Sequence, residues 1–203
     1  MILERIDTPS GRFYKTPEGF LYPSVTTILS SIPNLELQKW KESIGEEEAN
    51  RISKKATDNG TKLHDYCENY LKGNNPKLDI FQKDSYGKLP KLLDEISPVA
   101  LEKMLYSNKL RVAGTLDCLG KYQSKYHIID WKTTSKLKFN GEFDTYWLQT
   151  SAYAMMVYEH TGIFVNDLMI VMQDLVSSET RIFKEKTRDW LPKFIEIRNS
   201  LTI

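Results

Sequence analysis

The chain has 203 residues, 40% of them hydrophobic, which suits one packed domain and is too short for two. Its 28 basic and 27 acidic residues give a formal charge of +1, which excludes a globally basic nucleic-acid surface and allows only a local basic groove. Cys67 and Cys118 lie far apart, which excludes a cysteine-bound zinc site or iron–sulfur cluster and indicates free thiols. We therefore expect one domain over residues 1–203, mainly helical over 1–97 and built on a sheet over 98–203.

The start of the chain predicts a small hairpin followed by a short helix. Residues 13–15 and 20–22 flank a Thr-Pro-Glu-Gly sequence that fits a type I turn. Ser24 stands where a serine can cap the first amides of a helix, and Pro33 is expected to end that helix.

Longer helices are predicted over the rest of this half. One begins near Leu35 and is closed by Gly45, and the next runs from about 46 to 72. Apolar residues recur along the second at near-helical spacing and predict its buried face: Ala49, Ile52, Ala56, Leu63, Cys67 and Tyr70. A further helix, broken or kinked at Pro90, should lead towards Ile96.

The hydrophobic period then changes to that of strands. Residues 99–106, 111–122 and 126–132 alternate β-branched or aromatic residues with others and predict a three-strand meander. A helix over about 146–160, a strand over 167–175, a short strand near 181–184 and a last helix from Thr187 should follow. The order of elements predicts a mixed α/β fold.

An acid and a lysine share one face of the third meander strand. Because alternate side chains of a strand point the same way, Asp130 lies beside Lys132. Asp117, on the neighbouring strand, could lie opposite Asp130 and pair two carboxylates beside one ammonium. Carboxylates are the ligands that Mg²⁺ or Mn²⁺ selects, and the lysine could orient or deprotonate an attacking water. Glu102, on the strand before, could reach this cluster through water.

Each feature also has a purely structural interpretation. An isolated Asp-x-Lys on a strand is most often a surface ion pair. Gln149 and Tyr153, one turn apart on a predicted helix, could hold a phosphate or a carboxylate ligand, although such residues usually only pack. His64, near the buried face of the long helix, would without context be a core histidine rather than a ligand.

The motifs together resemble those of a known family. Gly114-x-x-Asp117, Asp130-Trp131-Lys132-Thr133, Gln149-x-x-x-Tyr153 and the upstream His64 resemble the motif series of RecB-like PD-(D/E)XK nucleases. Together with residues 22–26 and 60–64, these motifs resemble those of the mitochondrial genome maintenance exonucleases and their small phage-type relatives. Asp130 stands where many relatives carry Glu, and no proline precedes Asp117, departures that are common in the class.

This resemblance implies a restriction-endonuclease-like core, a central mixed sheet flanked by helices, with a helical N-terminal half arching over the active site. It implies a catalytic set of His64, Glu102, Asp117, Asp130, Lys132, Gln149 and Tyr153, with Mg²⁺ or Mn²⁺ held by His64, Asp117 and Asp130. It further implies digestion of single-stranded DNA from a free end, in replication, repair or recombination and with partner proteins from those processes.

The phosphates of such a substrate would need basic contacts. Candidates lie on the long helix and after the catalytic strand: Arg51, Lys54, Lys55, Lys62, Lys136 and Lys138. Bases could stack on Tyr14, Tyr22, Trp40 or Trp147, although each of these could equally be solvated or core. We expect the protein to be a monomer. We also expect it in the bacterial or phage-infected cytoplasm, because there is no apolar leader and the longest apolar run cannot span a bilayer.

Two other functions stay open. A structure-specific or restriction-like endonuclease could use the same catalytic centre, because that centre does not decide how DNA enters. A non-catalytic nucleic-acid-binding protein could keep the fold, although intact Asp117, Asp130 and Lys132 argue against it.

Overall fold

A computed structural model describes residues 3–135 and 143–201, and it begins with a small antiparallel sheet. Its strands β1 (Glu4–Thr8), β2 (Gly11–Lys15) and β3 (Leu21–Pro23) are in the order β1-β2-β3. The predicted hairpin is β2 and β3, and its turn is closed by a 2.9 Å bond from Gly19 N–H to the Thr16 carbonyl. Strand β1 was not predicted, because it is polar and largely exposed and carries no alternation of apolar residues.

Three helices follow, and the third supports the site. Helix α1 (Val25–Ser30) is capped by Ser24 as predicted, while α2 (Leu35–Ile44) and α3 (Glu46–Leu71) meet at Gly45. The predicted buried face of α3 is confirmed at Ala49, which is 1% exposed, but it is wrong at Ile52, which is 38% exposed, and at Ala56, which is also exposed. The reason is that α3 packs on the protein core mainly through its second half, which contains the buried residues Leu63, Tyr66 and Cys67.

Two short helices lead from α3 to the central sheet. Helix α4 (Ile80–Tyr86) and helix α5 (Leu89–Leu93) occupy the region where a helix broken at Pro90 was expected. The break lies earlier, at Gly87, whose φ is +24°. Pro90 stands in the first turn of α5, where the missing amide hydrogen of proline costs nothing.

The central sheet has five strands in sequence order. They are β4 (Ile96–Ser107), β5 (Val112–Tyr122), β6 (Lys125–Thr134), β7 (Asp167–Asp174) and β8 (Thr180–Lys186). All neighbours are antiparallel except β6 and β7, which are parallel and joined through helix α6 (Asp144–Thr161), as a parallel pair requires. Helix α7 (Thr187–Ser200) ends the described chain. The predicted central mixed sheet is confirmed.

The two faces of this sheet are covered by different helices. Ile128, Leu168 and Ile170 pack with α1, α6 and α7 on one face. Ile129 and Trp131 pack with α3, α4 and α5 on the other. The strict alternation along β6 therefore places Asp130 and Lys132 on the α6 face, as predicted. Within the described ranges, no helix has both the length and the apolar character to cross a bilayer.

Candidate active site

The site forms where β5 and β6 separate. Their backbone pairing runs from the hairpin turn to Cys118 and Ile129, and there it ends. Beyond that point the Asp117 carboxylate accepts a 3.0 Å hydrogen bond from Trp131 N–H. The Trp131 carbonyl lies 2.9 Å from His64 Nε2 on α3. Side chains of the predicted site thus satisfy the peptide groups that the fork leaves unpaired, as buried backbone requires.

The hydrogen bond to the Trp131 carbonyl fixes the form of the His64 ring. A carbonyl oxygen can only accept, so Nε2 carries the hydrogen. Nδ1 then faces the carboxylates, 3.5 Å from Asp117 Oδ2 and 3.7 Å from Glu102 Oε1. A histidine whose second nitrogen is held by a backbone carbonyl is the usual arrangement of a metal ligand.

Glu102 reaches the same point through a local irregularity of the sheet. Its φ is +45°, a left-handed conformation that side chains rarely adopt. On β5, opposite it, Leu116 packs in the α6 core while Cys118, two residues on, packs in the α3 core. Residues two apart on a regular strand share a face, so both strands change sides at Glu102 and Asp117. This change turns the two carboxylates towards His64 directly, where the sequence predicted that Glu102 would act through water.

The donor set fits a divalent cation. One ligand atom each from His64, Glu102 and Asp117 lie within 4.8 Å of one another. Within residues 3–135 and 143–201, Oε1 of Glu102 and both carboxylate oxygens of Asp130 are buried without a hydrogen-bond partner. Burying a carboxylate oxygen without a hydrogen-bond donor costs free energy unless a cation is near. A set of ligands made of one imidazole and carboxylates suits Mg²⁺ or Mn²⁺. Asp130, predicted as a third metal ligand, lies outside the group of three and stays a prediction in that role.

Asp130 and Lys132 form a buried ion pair. Lys132 Nζ lies 2.5 Å from Asp130 Oδ2, as a contact without hydrogen-bond geometry, and 5.0 Å from the centre of the Tyr146 ring. Burial acts to lower the pKa of Lys132, but Asp130 and Asp117 outweigh it and raise that pKa. The lysine is therefore held as an ammonium, whose direct role is to attract and position negative charge.

The acidic cluster also shifts its own members. Burial acts to lower the pKa of His64, but the carboxylates of Glu102, Asp117 and Asp130 raise it to about 9. Burial and the charge of Asp130 raise the pKa of Asp117. Protonation of these groups therefore competes with a divalent cation, and binding of a cation should release protons.

Gln149 and Tyr153 lie beside this cluster on α6. Burial raises the pKa of Tyr153, so its hydroxyl stays protonated, and Gln149 hydrogen-bonds to it. A Cβ on Gly114 of β5 would lie 2.7 Å from the Tyr153 hydroxyl oxygen and 2.8 Å from its Cε1. This close approach explains why glycine stands at the start of the Gly-x-x-Asp motif.

A cleft of about 530 Å³ opens over the site. Its walls are α3, the central sheet, α6 and the face of the N-terminal sheet that carries Arg5, Arg12 and Tyr14. The sequence did not single out the two arginines, since β1 was not recognised and its contact with the cleft is made by folding. Hydroxyls of Ser24 and Thr26 also line the cleft.

The predicted DNA-binding residues are spread more widely. Arg51, Lys54, Lys55 and Lys62 are exposed on α3. Arg51 pairs with Glu48 at 2.6 Å and Lys54 with Asp58 at 3.0 Å, so acids already neutralise part of this basic surface. Lys136 and Lys138 lie outside the described residues. A role in DNA binding stays a prediction for all six.

Three of the four aromatic residues proposed to stack on bases are in the core. Tyr14, Tyr22 and Trp147 are 0%, 8% and 5% exposed. Tyr14 packs against Ala113, and Trp147 lies 6.4 Å from the Trp190 ring, so stacking on bases is wrong for these rings. Trp40 on α2 is half-buried and keeps part of its surface accessible.

The chain matches a family model, curated relatives and a solved structure. The family model of the PD-(D/E)XK nuclease superfamily matches residues 35–189. Mitochondrial genome maintenance exonuclease 1 of Homo sapiens is 28% identical over 74% of this chain and 49% of its own length, and that of Mus musculus is 30% identical over 57% and 38%. The chain thus spans about half the length, or less, of these curated relatives. A solved structure from Eubacterium rectale is 12% identical, with a TM-score of 0.45, over 70% of this chain and 68% of that one.

Proposed function

We propose, since this chain belongs to the PD-(D/E)XK nuclease superfamily, that it hydrolyses phosphodiester bonds of DNA with a divalent cation. The observation that carries the proposal is the meeting of His64, Glu102 and Asp117 within 4.8 Å, beside a buried lysine ammonium. Such a set joins ligands for a hard cation with a fixed positive charge for a phosphate. Among the described residues, the buried Glu102 Oε1 has no hydrogen-bond donor and lies 3.7 Å from His64 Nδ1, so a cation bound between them would stabilise it.

Each residue then has a distinct task. His64, Glu102 and Asp117 would hold the cation, and Asp130 would either join them or keep Lys132 in place. A divalent cation, when bound, polarises the phosphate and lowers the pKa of a bound water. The Lys132 ammonium would offset the charge that builds on the phosphorane oxygens, a stabilisation that is strong in a site shielded from water. Gln149 and Tyr153 would support the phosphate from α6.

We further propose that the substrate is single-stranded DNA, which enters the site by a free end. Support comes from the names of the relatives, which are exonucleases, and from the helices before the sheet. Helix α2 has no buried residue, and its main contact is with α3. Together with the exposed first half of α3 it could arch over the cleft, and a passage beneath such an arch would admit one strand and exclude a duplex.

A direct test compares DNA of different topology. Linear single-stranded DNA should be degraded in Mg²⁺, while a circle of the same sequence and a blunt duplex should persist, because threading requires an end. The Lys132→Ala protein, purified in the same way, controls for contaminating nuclease. Rapid cutting of the circle by wild type, but not by the Lys132→Ala protein, would favour the alternative of an endonuclease whose site is open from the side.

The cation is tested separately. Mg²⁺ or Mn²⁺ should activate cleavage, EDTA should stop it reversibly, and Ca²⁺ should bind without supporting turnover, since the ligands are an imidazole and carboxylates. Full activity after exhaustive dialysis against EDTA would contradict the proposal. The same proposal includes a role in DNA replication, repair or recombination. The products that form from linear, circular and duplex DNA help to test that role.

A further inference from the structure

A pair of arginines faces the catalytic cleft from the N-terminal sheet. Arg5 on β1 and Arg12 on β2 both line the cleft that contains His64, Glu102 and Asp117. One carboxylate, that of Asp7, joins them: Arg5 Nε lies 2.9 Å from Oδ2 and Arg12 Nε lies 3.2 Å from Oδ1. Two guanidinium groups on one carboxylate keep a net positive charge. Their donors that do not contact Asp7 stay available to a second anion.

The orientation of this pair follows from the register of the small sheet. Arg5 is opposite Tyr14, and Asp7 is opposite Arg12. All four side chains therefore share one face. Tyr14 on that face is fully buried beside Ala113, while the side chains of Arg5, Arg12 and Asp7 stay 45%, 38% and 60% exposed.

The distance of the arginines from the site is also fixed. The Tyr14 hydroxyl lies 3.2 Å from the Thr115 hydroxyl of β5. Tyr14 is two residues from Arg12 on one strand, and Thr115 is two residues from Asp117 on the other. On the next turn of the chain, Arg12 N–H donates to Thr27 Oγ1 at 2.9 Å, which ties β2 to α1. The guanidinium groups are thereby placed by folding, before any ligand arrives.

We propose that Arg5 and Arg12, held by Asp7, form a binding subsite for a DNA phosphate other than the one that is cleaved. The inference rests on the proposed function, and it adds a substrate contact to it. Guanidinium groups are suited to phosphate because they present several donors in a planar fork. The side chains of Arg5 and Arg12 are 45% and 38% exposed, so a phosphate can reach them. The hydroxyls of Ser24 and Thr26 on the same cleft add donors of the kind that phosphates accept.

A purely structural role makes a different prediction for Asp7. If the three residues only join β1 to β2, replacing any of them should affect stability alone. If the arginines bind phosphate, Asp7 competes with the DNA for them. Asp7→Asn should then strengthen DNA binding, while Arg5→Gln with Arg12→Gln should weaken it.

The experiment measures binding of a fluorescent single-stranded oligonucleotide to the full chain in EDTA, by anisotropy at several salt concentrations. The double arginine variant should bind about tenfold more weakly, as removal of charged hydrogen bonds implies. The slope of log K against log salt should fall by about 0.7 for each phosphate that the variant no longer neutralises. Arg188→Gln and Asp189→Asn are matched controls, since this exposed pair on α7 does not line the cleft, and both should leave binding unchanged.

Two further arms separate the sources of the phosphate and the possible failures. If the subsite holds a terminal phosphate, wild type should bind a 5′-hydroxyl oligonucleotide more weakly than a 5′-phosphorylated one. The double variant should bind the two oligonucleotides equally well. If it holds an internal phosphate, the end group should not matter, and either result supports the subsite. Unchanged binding by the double variant, or weaker binding by Asp7→Asn, would overturn it. Mg²⁺-dependent cleavage by wild type, assayed in parallel, shows whether the proposed function stands when the subsite does not.

Discussion

Replacing Gly114 by alanine tests how closely α6 must approach β5 at the site. The added Cβ would lie 2.7 Å from the Tyr153 hydroxyl oxygen, 2.8 Å from Cε1 and 3.2 Å from Cζ, against an ordinary contact of 3.4–4 Å. The Tyr153 side chain is 3% exposed, so its ring cannot turn away into solvent. Either the ring or the backbone of α6 has to move by roughly the missing 0.7 Å, the difference between 3.4 and 2.7.

This displacement sets the expected size of the effect. Overpacking of a rigid core costs about 1–3 kcal/mol, and the free energy of unfolding should fall by that amount in urea titrations. Because Tyr153 and Gln149 lie beside the proposed metal ligands, cleavage of linear single-stranded DNA should fall as well. The change in activity should appear in kcat more than in KM if, as proposed, these residues support the reacting phosphate and not a more distant part of the strand.

Gly60 provides a matched control for the same substitution. It lies within α3, and within the described ranges no atom other than those of its chain neighbours and the surrounding helix backbone lies within 4 Å of where its Cβ would be. Alanine there should stabilise the chain by about 0.5–1 kcal/mol, because glycine is costly inside a helix. If Gly114→Ala were as stable as wild type, or if both alanines shifted stability by the same amount, the proposed close packing of Tyr153 on β5 would be refuted.

Three further predictions concern the charged centre. Lys132→Met should abolish cleavage and cost about 3–5 kcal/mol in urea unfolding, because Asp130 loses its cation, and adding Asp130→Asn should recover most of the loss. Asp117→Ala should cost about 1–3 kcal/mol by leaving the buried Trp131 N–H without an acceptor, whereas Asp117→Asn should cost less; equal losses would contradict that bond. Mg²⁺ should raise the Tm of wild type and EDTA should cancel the rise, and a Tm insensitive to both would contradict a metal site.

The elements that the sequence predicted well are those with a strong local signal. The alternation along β5 and β6 predicted both strands and the face shared by Asp130 and Lys132. Gly162 marked the end of α6, where its φ of +72° is the left-handed conformation that favours glycine. In each of these cases the residues that determine the structure are neighbours in the chain.

The missed features depend on contacts between distant residues. Strand β1 has a single apolar residue, Ile6, so no period reveals it, and Arg5 reaches the cleft only because Tyr14 meets Thr115, 101 residues away. The position of Ile52 follows helical periodicity but is exposed, because α3 packs on the core mainly through its second half. Periodicity indicates which face of an element could be buried, and the rest of the fold decides whether it is.

The fork between β5 and β6 explains why residues with proposed catalytic roles also have structural ones. A sheet that stays paired buries its peptide groups against each other and leaves no room for a site. Ending the pairing after Cys118 makes room, but it leaves the N–H and the carbonyl of Trp131 without strand partners. Asp117 and His64 satisfy these groups, and the same hydrogen bonds fix both side chains. Their atoms that could bind a metal are thereby turned towards Glu102. The cost of opening the sheet is therefore offset by the same side chains that the open sheet orients for chemistry.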